Sequence, residues 1–101
     1  MNATSTMSPK FQIHYLESQI VKLEDEISSA KSHINLVRTI GESNAVNYYP
    51  QSHHTPIQHP KYGKISPIYS QYIYYKKYLP EWEAQLNTYY QQLKTVLSSK
   101  N

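Results

Sequence analysis

The chain of 101 residues carries ten basic and seven acidic side chains, two glycines, eleven tyrosines and no cysteine. That length allows one small domain with a poor ratio of core to surface. The missing cysteine removes both a disulfide framework and a thiolate zinc site as reinforcement. So few glycines beside so many tyrosines argue against a turn-rich β fold and for long elements with large contact faces.

Residues 1–8 are polar and read as an N-terminal tail without the apolar core of a signal peptide. No run approaches the roughly 20 apolar residues of a membrane span, and an intracellular location is expected.

Ser8-Pro9 has the form of a helix start, the serine capping free amides and the proline taking the first helical position. Ile13, Leu16, Ile20, Leu23, Ile27, Ala30, Ile34 and Val37 then recur in unbroken 3-4 spacing. That period marks a coiled-coil seam along one side of a helix over about residues 9–40, with Gly41 as its stop. Isoleucine fills position a four times. Isoleucine at a with leucine at d suits a parallel two-stranded coil. The flanking charges offer contacts in either polarity, each worth only about 0.2–1 kcal/mol.

Between residues 42 and 64 the periodicity disappears. Pro50, Pro56 and Pro60, interspersed with Ser, Asn and His53, His54 and His59, predict a long loop without regular elements. Three imidazoles, with His33 or Glu42 as a fourth ligand, could in principle hold zinc. Their spacing matches no standard site, so they read as solvated loop histidines and no metal or cofactor is expected. The segment from Tyr48-Tyr49-Pro50 to Ile57-Gln58-His59-Pro60 has anchors for a partner that clamps an extended peptide, and equally suits a linker.

Ser66-Pro67 repeats the start device. Ile65, Ile68, Tyr72, Tyr75, Leu79, Trp82, Leu86, Tyr89, Leu93 and Val96 form a second 3-4 seam, predicting a helix over about residues 66–98 with a kink or break at Pro80. Tyr69, Tyr90 and Leu97 widen this stripe, and a broad aromatic face suits a helix with more than one neighbour.

The expected architecture is therefore all-α, a coiled-coil helical hairpin over residues 9–98 with short tails at 1–8 and 99–101, completed by packing into an oligomer or a larger complex. Ile13, Leu16, Ile20, Leu23, Ile27, Ile34 and Val37, with Trp82, Leu86, Tyr89 and Leu93, form the expected partner-binding seams, the partner helices coming from another copy or another subunit. Catalytic motifs are lacking: no phosphate loop, no Gly-x-Ser-x-Gly and no HExxH. Glu81 and Glu83 point to different faces of a helix, and His14 with Glu17 reads as an exposed pair. The function expected is that of a non-catalytic structural or adaptor subunit.

Charge suggests an alternative of another class. Residues 43–80 hold Lys61, Lys64, Lys76 and Lys77, eight of the eleven tyrosines and no acid. Lysines that neutralise phosphates beside rings that stack on bases can serve nucleic acid. The competing explanation makes Tyr72 and Tyr75 core residues and the lysines a solvated face. No standard nucleic-acid-binding motif accompanies the stretch.

Overall fold

A computed structural model of the chain describes residues 8–50 and 55–99. The expected tails at residues 1–7 and 100–101, and His53 and His54, lie outside the described residues. The chain runs α1 (Pro9–Ile40), α2 (Glu42–Val46), β1 (Ile57–His59), β2 (Gly63–Ile65) and α3 (Pro67–Ser99). Contacts divide it into two compact units, one drawn from Met1–Ile27 and Glu81–Asn101, the other Ser28–Pro80.

Local chemistry sets the ends of α1. At its start the Ser8 hydroxyl oxygen accepts the Phe11 amide at 3.3 Å. At its end Gly41 adopts φ 96°, a left-handed conformation unfavourable for residues with a Cβ, and donates its amide to the Val37 carbonyl at 2.8 Å. A Cβ there would also lie 3.2 Å from the Asn44 side chain. Gly41 is thus both the stop of α1 and the entry to α2.

The expectation of a loop without regular elements over residues 42–64 is overturned. This stretch contains α2, and β1 pairs antiparallel with β2 in the register Ile57↔Ile65, Gln58↔Lys64 and His59↔Gly63. The prolines do not oppose this hairpin. Pro56 precedes β1 and Pro60 begins the turn, so neither has to donate to the ladder. Ile65, counted as the first seam residue of the second helix, instead ends β2 and is wholly buried.

The Ser-Pro device at α3 does more than its counterpart at α1. Ser66 is wholly buried. Its hydroxyl accepts the Tyr69 amide at 3.0 Å, capping α3, and donates to the Ala45 carbonyl at 2.6 Å. Its own amide donates to the Val46 carbonyl at 2.9 Å. One residue thereby joins the end of α2 to the start of α3.

These links position the core of Ser28–Pro80. Ile34, Val37, Ala45 and Tyr72 are buried together, with Ile40, Ile68, Tyr69, Tyr75 and Leu79 packed against them. Tyr72 donates its hydroxyl to Glu42 at 2.6 Å. Burial, reinforced by that hydrogen bond, pushes the Tyr72 pKa up to about 12. His33 donates its Nε2 hydrogen to the Ile68 carbonyl at 2.8 Å and meets the Tyr75 ring edge-on at 5.6 Å. This side of α1 is therefore bound to α3 by polar as well as apolar contacts.

The other unit is leaner. Leu16, Ile20 and Ile27 are buried, whereas Ile13 and Leu23 are half-buried. Grooves lined by Gln12, Leu16 and Gln91–Val96 residues and by Leu23, Glu26, Gln85 and Tyr89 show that here α1 and α3 run antiparallel. Tyr90 donates its hydroxyl to Glu24, an exposed bridge between the two helices.

Of the kink or break expected at Pro80, the break is absent: α3 runs as one helix across it. The carbonyl left without its amide donor belongs to Lys76, four residues earlier. Lys76 and Pro80 are both exposed, so water can satisfy that carbonyl. The division between the two compact units nonetheless falls at this proline.

Two outcomes test these contacts. Ser66→Ala removes a helix cap and one of the two hydrogen bonds that the Ala45 carbonyl accepts, the other coming from the Tyr48 amide at 3.1 Å, for an expected loss of about 1–3 kcal/mol. The equivalent Ser8→Ala, at an exposed cap, should cost less than about 1 kcal/mol; urea denaturation of both variants compares them. Tyr72 favours its neutral form in the folded chain, so its contribution is intact below pH ~10 and lost as pH rises from there through about 12. Tyr72→Phe should lower stability at pH 8 by about 1–2 kcal/mol and flatten the decline measured between pH 10 and 12.

Candidate functional site

The seam of α1 is largely spent inside the chain. Leu16, Ile20, Ile27, Ile34 and Val37 are each less than 8 % exposed, so their apolar surface is already withdrawn from water without a second molecule. On α3 the result differs. Between residues 81 and 99 Trp82, Leu86, Tyr89, Leu93 and Val96 are all half-buried, and none is buried. Val96 shares a groove with Leu16 of α1, and Tyr89 shares one with Leu23.

Large apolar side chains stand out beyond the seams. In the unit of residues 1–27 and 81–101 they are Phe11, Val21, Tyr90 and Leu97, each at least 42 % exposed. Tyr90 and Leu97 are the residues that widened the second stripe in the sequence, and they lie on its solvent side. In Ser28–Pro80, Leu36 and Ile57 flank a shallow cleft of about 490 Å³ shared with Pro67, Ile68 and Gln71.

The basic, tyrosine-rich segment folds into something more ordered than its composition suggested. The turn between β1 and β2 is held by His59, whose Nδ1 accepts the amides of Lys61 at 3.0 Å and Tyr62 at 3.2 Å. This is the geometry of an Asx turn with imidazole in place of an amide or carboxylate. It assigns the ring hydrogen to Nε2. Gly63 supplies the φ of 73° that closes the turn. The result is a tight turn that holds Lys61 and Tyr62 outward, Tyr62 being 48 % exposed.

From this turn a line of rings leads onto α3. Lys61 Nζ lies 5.4 Å from the Tyr62 ring, Tyr62 meets Tyr69 edge-on at 6.2 Å, and Tyr69 meets Tyr72 at 5.6 Å. Lys76 Nζ closes the line 5.1 Å from the Tyr72 ring. On another side of α3 Lys77 sits 5.3 Å from Tyr78, which packs on Tyr74. Tyr72 and Tyr75 are packed residues, as helical spacing implied, whereas Tyr62 and Tyr74 remain open. Among the described residues no carboxylate pairs with Lys61, Lys64, Lys76 or Lys77.

The remaining polar residues singled out in the sequence are occupied or scattered. His33 serves the Ile68 carbonyl through Nε2, and Glu42 accepts from Tyr72 through one carboxylate oxygen. Among the described residues no three His, Asp or Glu side chains gather to hold a metal. His14 and Glu17 are exposed on α1. Among the described residues no helix is long and apolar enough to cross a membrane. No family model matches the chain, nor does any curated protein or solved structure.

Proposed function

We propose that the chain is a non-catalytic structural or adaptor subunit, a coiled-coil hairpin of two long helices that assembles by adding a further helical layer. What supports this is the state of the second seam between residues 81 and 99, where five large apolar side chains are each only half-buried. Completing the burial of such a side chain contributes on the order of 1 kcal/mol. Two copies joined through this face would gain about 10 kcal/mol in all, within the roughly 4–15 kcal/mol that association costs in lost freedom. Phe11, Val21 and Leu97 on the same unit would add to it. The occupant is a helix, from a second copy or a different subunit, because a 3-4 stripe of Trp, Leu and Tyr matches ridges at helical spacing.

Light scattering combined with circular dichroism on the purified chain tests the assembly. A helical dimer or tetramer that loses mass and helicity together on dilution is expected. Leu93→Glu should shift that equilibrium toward monomer at least tenfold, since it sets a charge against the incoming layer. A monomer that remains fully helical and thermally stable at all concentrations would overturn the proposal.

A further inference from the structure

We propose that Ser28–Pro80 carries a binding surface for single-stranded nucleic acid, built by the β1–β2 turn and the first half of α3, with Tyr62 as a base-stacking platform. This does not depend on the assembly reading. The first support is where charge collects. Residues 28–80 carry six basic side chains against the single acid Glu42, a net charge of +5. The remainder carries four basic and six acidic ones, a net charge of −2. The mild overall charge of +3 thus hides a strongly cationic unit.

Second, this charge is available. Lys61, Lys64, Lys76 and Lys77 are exposed and, among the described residues, unpaired with any carboxylate. Glu42, the one acid of the unit, accepts from the Tyr72 hydroxyl. A lysine resting against a ring keeps its three hydrogens for an incoming phosphate, and the ring limits how far it wanders.

Third, the geometry sets one open ring among the lysines, since of Tyr62, Tyr69 and Tyr72 only Tyr62 is exposed. Lys61 and Lys76 stand at the ends of the Tyr62–Tyr69–Tyr72 line, and Lys64 projects from β2 beside the turn. Tyr62 is about half exposed yet doubly restrained. Its amide is held by His59 Nδ1, and its ring leans on the His59 ring at 4.9 Å. A ring already fixed in place loses little freedom when a base stacks on it.

Unpaired bases fit this surface better than two other polyanions. An acidic peptide would use the lysines but has no need of an exposed tyrosine face. A duplex presents its bases stacked, closed to a ring from outside. The surface has no Arg, Asn or Gln among its named residues to read base edges in a groove, so tolerance of sequence is expected.

Fluorescence anisotropy with the full chain and a labelled oligothymidylate of about 15 nucleotides decides the matter. Binding at about 50 mM salt is expected, weakening with a log–log slope near −2 as Lys61, Lys64 and Lys76 each meet a phosphate. Tyr62→Leu should weaken binding roughly 5- to 100-fold and leave that slope unchanged, whereas Tyr62→Trp should preserve it. Lys61→Ala with Lys64→Ala should flatten the slope by about 1.4. Circular dichroism on each variant verifies the fold, and the exposed Tyr62 and lysines can be changed without touching the core. No binding at low salt would overturn the proposal. So would equal binding of a duplex or of polyglutamate, or a Tyr62→Leu variant that binds like the parent, since each of these is charge attraction without stacking.

Discussion

A buried serine hydroxyl is the contact on which the better-packed half of the molecule depends. Ser66 receives the Tyr69 amide in the first turn of α3 and gives its hydrogen to the Ala45 carbonyl, and its backbone amide closes on Val46. These three hydrogen bonds converge on one residue. Because Ser66 follows β2 directly, the same contact fixes where the β hairpin leaves the core and in which direction α3 sets out. Ala45 is buried against Val37 and Tyr72 as part of one cluster, so polar and apolar order reinforce each other. The tyrosine–lysine surface inherits its rigidity from this arrangement.

The long helices were legible because their information is periodic. Eight apolar positions in 3-4 order describe one side of α1, and every buried residue of α1 belongs to that set. Gly41 and the two Ser-Pro pairs marked boundaries by chemistry that acts within a few residues of itself. The second seam was legible too, and its half-exposed state followed from the breadth of its aromatic stripe.

The segment before α3 was not legible, for equally definite reasons. Strands of three residues offer no alternation to detect, and α2 is too short for a helical period. The turn depends on a histidine in a role usually filled by Asn or Asp, so composition suggested a loose loop where His59 holds a firm one. Proline density compounded the error, because its effect depends on which amides the ladder needs and not on how many prolines are present. The Lys/Tyr stretch was recognisable as unusual. What the sequence could not convey was that Tyr72 is packed and Tyr62 open, since that division depends on the hairpin folding beside α3.

The uneven burial of the two compact units has a consequence for how the molecule opens. Residues 81–99 contribute no fully buried side chain, whereas Ser28–Pro80 holds a cluster with Tyr72 and Val37 closed from water. Amide protons in the last five turns of α3 should therefore exchange with solvent through frequent local fraying. Those of Val37, Ala45 and Tyr72 should exchange only when the core of their own unit is lost. Pro80, having no amide proton, stands at the join as a silent position between a fast-exchanging stretch and a protected one.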